Sequence, residues 1–560
     1  MNQHERELAV IESVETAPPL KKFLAYAKLS GPGWLQGAIT LGGGSLAGAL
    51  FLGSTAGFGA MWIQPVAMIC GVIMLSAIAY VTLSTGSRPF HQINKHLNPL
   101  LGWSWLIATI MANLVWTMPQ FALATEAIQQ NLLGGAEFDP YYVAYPLLLL
   151  GLGVNWLYEA GGKGAKAFDV IIKIMVAIIV LSFFAVVIAL AKSGQLPVGE
   201  IFSGLVPNPF MLLGPADTYD SLIANSAFPE YWREKITDQQ RDVAFAAFGT
   251  AVGINMTFLL PYSLLKKRWG KKHRGLSITD LSIGLFIPFF LATSCVVIAS
   301  ASSFHGKVPD AEMDGISKFQ PAVAEGFYAH ENKGGTGPST EQLSNYEAQV
   351  KSSDLQLAAM LQKRGAGALA STLEPFAGEN VSQKIFGIGV LGMAVSTIII
   401  LMLMNGLAFQ EAFSGPGEMD ESKANINDNK ALYFLGCSLS GISGCLFPIL
   451  WTGESLAALA VPTSVIGGSL IPIAYFTFLL MMNSRKILGA HRPSGTSRII
   501  WNTLMVIATV IASAGSIWVL IGKTGAPGWK GDIATGGLFF LIILFVVGTF
   551  SFIRNERKPD

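Results

Sequence analysis

Charge is scarce in this chain. Asp, Glu, Lys and Arg make up only 13% of its 560 residues, about half the share expected of a soluble domain. The two signs nearly cancel at a net charge of +1, so no global field draws nucleic acid or acidic partners. There are only four cysteines. Cys70, Cys295, Cys437 and Cys445 all fall inside apolar runs, which excludes a disulfide or metal framework and leaves small apolar packers. No Walker loop, spaced His/Cys cluster or nucleophile elbow occurs. The chain therefore reads as neither an enzyme nor an ATP-driven pump, and no cofactor is implied. Residues 1–29 include acids and Pro18-Pro19 but no apolar core of signal-peptide type, and read as a cytoplasmic tail.

What is abundant is apolar sequence. Hydrophobic residues reach 51% and mean hydropathy is +0.49. Runs of about 20 residues, enough to cross a bilayer, are expected near 33–56, 62–85, 101–131, 142–159, 168–192, 243–265, 279–303, 384–408, 431–453, 456–482, 500–521 and 533–553. The runs are too long for membrane strands and lack period-2 alternation. The fold class is an all-α polytopic membrane protein of about 12 transmembrane helices.

Basic residues in short loops mark the cytoplasmic side. "KKRWGKKHRG" (Lys266 to Gly275) is the strongest such signal, and Arg485, Lys486, Arg492 and Arg498 agree with it. Both termini then lie in the cytoplasm, with 556–560 as a second tail. The expected layout is helices 1–7 over 30–303, an extracytoplasmic insertion over 304–382, and helices 8–12 over 383–555. The insertion has "ENKGGTGPSTEQ" as a flexible centre.

Two spans contain breaks. "LGGGSLAGALFLG" puts Gly42, Gly43, Gly44 and Ser45 where a helix ought to be continuous, and each Gly costs a helix interior about 1 kcal/mol relative to Ala. Five spans later, "FGTAVGINMTFLLPYSLL" brings Gly249, Gly253 and Asn255, with Pro261 beyond. Irregular backbone at mid-depth is tolerated where it is buried in protein or lines a water-filled cavity. Secondary transporters use such breaks, in corresponding helices of two inverted repeats, as substrate sites. Both breaks are expected to be non-helical or distorted, over 42–45 and 249–255, and to face each other near the bilayer centre.

At these residues the chain resembles the NRAMP (natural resistance-associated macrophage protein) divalent-metal transporters. "GPGWLQGAITLGGGS" is similar to that family's first helix and "GTAVGINMTFLLPYSLL" to its sixth. "GMAVSTIIILMLMNGLAFQEAF" looks like its eighth and "SVIGGSLIPIAYFTFLLMMNSRKILG" its tenth. The resemblance implies a LeuT-type inverted repeat of 5+5 helices plus two C-terminal helices. It also implies divalent metal cation transport by alternating access, driven by protons or membrane potential.

The family's metal ligands are replaced. Its first-helix Asp and Asn fall on Gly42 and Ser45, its sixth-helix Met and His on Gly253 and Asn255, and its tenth-helix Gln on Ser464. Selective transition-metal binding wants a carboxylate, an imidazole or a soft sulfur, and these positions supply none. Exposed N–H groups at a glycine-rich break favour instead an anion or a zwitterion's carboxylate. Further polar residues within spans are Gln64, Asn113, Trp116, Gln120, Glu126, Ser396, Thr397, Asn405, Thr463 and Ser464. Most suit bonding between helices. Glu126 stands apart, because a carboxyl so far inside a span is costly and reversible protonation suits it; Gln129 or Gln130 is its expected partner.

The leading reading is a secondary transporter of a divalent metal cation in the inner (plasma) membrane. A transporter of a small organic solute such as an amino acid or carboxylate, and a non-transporting membrane receptor, are the alternatives. The implied partners are the lipid bilayer and a small solute or cation, with no nucleic acid and no ATP. Nothing in the sequence sets an oligomeric state.

Overall fold

Inside lipid, backbone N–H and C=O groups must bond within their own segment, so long apolar runs become helices. A computed structural model of the protein describes residues 3–29, 31–160, 196–308, 313–332, 337–363, 378–413, 429–451, 455–526 and 528–557, with scattered positions between 170 and 192 and residues 365, 367 and 370. All regular elements among them are helical. The principal helices are α1 (Pro32–Thr40), α2 (Gly43–Ala56), α3 (Ile63–Thr85), α4 (Pro99–Glu126), α5 (Tyr141–Ala160), α6 (Pro229–Ala251), α7 (Ile254–Lys266) and α8 (Ile287–Phe304). They continue with α9 (Gln320–Glu331), α10 (Ser352–Met360), α11 (Glu379–Phe413), α12 (Lys430–Cys445), α13 (Ala460–Ser469), α14 (Ile471–Asn483), α15 (Gly495–Thr524) and α16 (Trp529–Arg557).

Among the described residues eight helices are long and apolar enough to span a membrane, or nine if the bent pair α1–α2 counts as one. Apolar helices α5 and α12 occupy the expected fourth and ninth positions. The expected fifth span, 168–192, lies largely outside the described residues. The helices pack as two groups. One holds α2, α3, α6, α7 and α8, and the other α4, α5, α11 and α12. The pair α1–α2 and the sixth span belong to the first group, and α13 touches both.

The breaks are shorter than the sequence suggests. In the first span, α1 ends at Thr40 and α2 begins at Gly43, with a 50° bend between them. Gly43, Gly44 and Ser45 form the first turn of α2, so the expected opening over 42–45 contracts to Leu41 and Gly42. In the second, α6 runs through Ala251 and α7 resumes at Ile254, leaving only Val252 and Gly253. Consecutive glycines do not unravel a turn whose neighbours are packed, because tertiary contacts override propensity.

Both break glycines have extended backbone, Gly42 at φ −83°, ψ 176° and Gly253 at φ −74°, ψ 161°. Any residue could adopt these angles. What excludes a side chain is space: a Cβ on Gly42 would overlap Thr397 Oγ1, and one on Gly253 would overlap the Trp116 ring.

The 304–382 insertion is folded over much of its length. It forms a second hydrophobic core in which Phe327, Val323 and Leu357 pack with Trp232, Tyr231 and Ile236 of α6. Buried Asp354 fastens this unit, accepting from Trp232 Nε1 (2.7 Å), Lys351 N (2.8 Å) and Ala227 N (3.1 Å). The expected flexible centre is partly helix: Ser339 caps a segment at Thr340–Glu347, its Oγ accepting from Gln342 N at 3.2 Å. Residues 333–336 lie outside the described residues. Because α6 extends back to Pro229, well before the apolar run, it carries the insertion on its own polar half.

Candidate functional site at the helix breaks

The two breaks meet. Ser45 Oγ donates to the Thr250 carbonyl at 3.2 Å, and Thr40 Oγ1 lies 3.1 Å from both the Ala251 carbonyl oxygen and the Met256 sulfur. Between them is a cavity of about 40 Å³, walled by the first group of helices on one side and by α4 and α11 on the other. Of the residues singled out from sequence, Gly42, Gly44, Ser45, Gly249, Gly253, Asn255 and Ser464 line it. Trp116 and Gln120 from α4 and Thr397 from α11 complete the far wall.

One donor of the glycine-rich break is already taken within the protein. Gly43 lies behind the lining, and its N–H donates to Gln120 Oε1 at 2.9 Å. Gln120 thus satisfies the start of α2 internally, against the expectation of free N–H groups. The hydroxyls of Thr40 and Ser45 point at carbonyls of α6, which leaves their oxygen lone pairs available. Helices α1 and α6 end at the cavity and α2 and α7 begin there, so two half-helix C-termini and two N-termini present partial charges of both signs. Among the described residues no Asp, Glu, His, Lys or Arg lines the cavity. The arrangement offers neutral oxygen acceptors and one thioether.

That thioether was missed in the sequence. Residue-by-residue comparison puts Gly253 at the family's Met position, yet Met256, three residues on, turns its sulfur to the cavity. A shift of three residues on a helix returns to nearly the same face, and the "GINM" string carried that signal. Thr40, just before the first glycine run, and Thr250, between Gly249 and Gly253, were missed as well.

Asn255 makes a different contact from that of a free ligand. Its Nδ2 donates to Asn113 Oδ1 at 2.9 Å, and Asn113 Nδ2 donates to Asn405 Oδ1 at 3.2 Å. Three buried asparagines thus link α7, α4 and α11 behind the cavity. Of the other polar residues, Thr463 bonds to the Leu459 carbonyl and Ser396 to that of Met393 within their own helices.

Glu126 does not line the cavity. Its Oε2 accepts the Ala457 N–H at 2.7 Å, at the start of the helical turn leading into α13. The backbone at Gly365 closes over its other oxygen, so closely that a Cβ there would overlap it. The expected partner Gln129, in a π-type turn over Ala127–Leu132, donates to the Phe138 carbonyl at 2.9 Å.

The chain matches the model of the family described as natural resistance-associated macrophage protein-like (Nramp) over residues 33–324 and 355–520. No curated protein matches it. Among solved structures it is similar to a His-to-Ala variant of the Eremococcus coleocola manganese transporter, at 12% identity and a TM-score of 0.63, covering 96% of each chain. A Glu-to-Gln variant of the same transporter gives 13% identity and a TM-score of 0.58. Its complex with an aromatic bis-isothiourea substituted compound gives 13% and 0.57. Both cover 96% of each chain. The fold is of the LeuT type, and the chain is a multi-pass membrane protein.

Proposed function

This chain belongs to the natural resistance-associated macrophage protein-like family, and from that premise we propose that it is a secondary transporter carrying a divalent metal cation by alternating access. The observation that carries the reading is the cavity between the two breaks, where neutral oxygens and the Met256 sulfur converge. Its similarity to manganese transporters supports a metal cargo. Size argues against an organic solute. Clefts that hold small organic ligands are typically about 300–1,000 Å³, whereas 40 Å³ suits an ion keeping one or two waters.

With no carboxylate at hand, full dehydration of a dication costs far more than neutral oxygens return. The cation therefore travels with part of its water shell, held by Ser45, Thr40, Asn255 and Ser464 oxygens and break carbonyls. Hard ions accept that coordination readily; Met256 adds affinity for softer ones. Uptake into proteoliposomes, measured for Mn²⁺, Cd²⁺ and Mg²⁺, tests the assignment. Absence of any metal flux by folded protein would sink it in favour of the receptor reading, and flux of amino acids or carboxylates would sink it in favour of the organic-solute one. Met256→Ala is expected to raise KM for Cd²⁺ and Mn²⁺ while leaving Mg²⁺ uptake unchanged. An equal effect on all three ions would remove the sulfur from the ligand set.

The basic loops support cytoplasmic termini in an inner (plasma) membrane. Arg274 stacks 4.3 Å from the Tyr80 ring centre and the Tyr80 hydroxyl donates to the His491 carbonyl at 2.8 Å, so the loops after α7 and α14 share one end of the bundle. Glu126, buried on α4, is the proposed coupling group. Glu126→Gln retains an oxygen to accept the Ala457 N–H, so the fold and metal binding are expected to persist while flux loses its pH dependence. A mutant whose flux still follows pH as the wild type does would favour uniport driven by membrane potential.

A further inference from the structure

Gln36, on α1, is fully buried, yet neither its Oε1 nor its Nε2 meets a hydrogen-bond partner among the described residues. Leaving a buried amide unpaired costs about 1–3 kcal/mol, whereas an apolar side chain of the same shape carries no such penalty. Packing alone therefore favours a residue such as Met or Leu here, and an orphaned amide calls for a functional reason. Its place on α1 supplies one. Gln36 comes three residues before Ile39 and four before Thr40, both of which line the cavity at the breaks. Residues three and four apart share one face of a helix. The Gln36 side chain thus leaves α1 between these two lining residues, about 5 Å further from the breaks.

That displacement runs toward the end of the bundle that carries the basic loops. Lys267, just past α7, reaches Gly31 at the start of α1, where a Cβ would overlap its Nζ. On the facing wall α11 descends the same way, since Glu411 near its end pairs with Arg88 after α3, and Tyr80 of α3 stacks on Arg274. Thr397 and Leu401 of α11 line the cavity. Asn405 follows Leu401 by one turn, is fully buried, and has an Nδ2 with no hydrogen-bond partner among the described residues. Helices α1 and α11 touch, and they belong to the two different helix groups. Gln36 and Asn405 thus stand on opposite sides of the seam between the groups, one turn below the cavity. Alternating access by rocking of one group against the other opens that seam.

We propose that Gln36 is a second coordination position for the cation, one turn on the cytoplasmic side of the breaks, which receives the ion from the cavity as the seam between α1 and α11 opens. The inference rests on the transport reading above. An amide oxygen is an ordinary ligand for a hard cation, and among the described residues no donor competes for Gln36 Oε1. An ion crossing a purely apolar seam would lose its ligands before it gained water; an amide at the first step lowers that barrier. Asn405 Nδ2 gains a partner from the water that enters with the ion.

Gln36→Met keeps the length and shape of the side chain and removes its polar end. For the full chain, Mn²⁺ uptake into proteoliposomes would be measured beside Mn²⁺ binding by calorimetry and thermal unfolding without metal. The variant is expected to unfold at a higher temperature than wild type and to bind Mn²⁺ at the breaks with unchanged affinity. Its maximal uptake rate should fall about tenfold, the low end for one lost polar contact to a charge. A wild-type rate in Gln36→Met would take Gln36 off the route and overturn the proposal. Slower uptake with a lower unfolding temperature would overturn it too, as the mark of a residue that serves only the fold. An equal loss of Mn²⁺ affinity would place Gln36 in the cavity site itself, with no second position. Wild-type protein that carries no metal would instead overturn the transport reading, and this proposal with it.

Discussion

Gly44→Val is expected to abolish saturable metal uptake in proteoliposomes while the purified protein keeps a wild-type elution profile and helix content. A Cβ at this position is tight only against Thr250 Cγ2 at 3.3 Å, which must give by a few tenths of an ångström, while Ser464 Oγ at 3.8 Å and Gln120 Nε2 at 3.9 Å are at ordinary contact. The two further methyl groups of valine must then occupy the cavity itself. In a volume of about 40 Å³ they displace two or three waters' worth of space, which is what a partly hydrated ion needs. The loss should appear in binding as well as in flux, since cargo and methyl groups compete for one place. Gly44→Ala, with a single methyl, should fall between the two. Retained uptake by a folded Gly44→Val protein would place the transport route elsewhere.

The second large effect concerns stability. Arg88 NH1 and Glu411 Oε2 are 2.6 Å apart, with side chains 14% and 3% exposed. Arg88 follows α3 and Glu411 is near the end of α11, so this pair joins the two helix groups that flank the cavity. Removing one partner of a buried pair leaves the other charge without compensation, at a cost of about 3–5 kcal/mol. Glu411→Ala should accordingly lower the thermal unfolding midpoint sharply. The double replacement Arg88→Met with Glu411→Met should recover most of the loss, because two apolar side chains of similar size carry no stranded charge. If the double variant were as unstable as the single one, packing at Glu411 and not the ion pair would be responsible.

These two positions also show how far a sequence can be read. Composition and run length alone determined that the chain is a bundle of membrane helices, because lipid permits an isolated span no other backbone arrangement. Glycines in two spans five apart marked where the breaks fall to within a few residues, because that spacing follows from the inverted repeat. The polar outer half of α6 was not legible as helix. Its stability comes from Trp232 and Asp354 contacts with a segment over a hundred residues away, and no local pattern encodes those.

Within the site, the sequence by itself determined which backbone would approach which. Only the tertiary structure decided what faces the cavity. Gln120 consumes the Gly43 N–H from a different helix, which takes one donor of the break away from any cargo. Met256 enters because α7 starts at Ile254, just after Gly253, where the Trp116 ring leaves no space for a side chain. Asn255 is drawn to Asn113, and Glu126 to the start of the helical turn before α13. Each of these outcomes depends on a partner distant in the chain, and side-chain direction at a helix break is set by that partner and not by local periodicity.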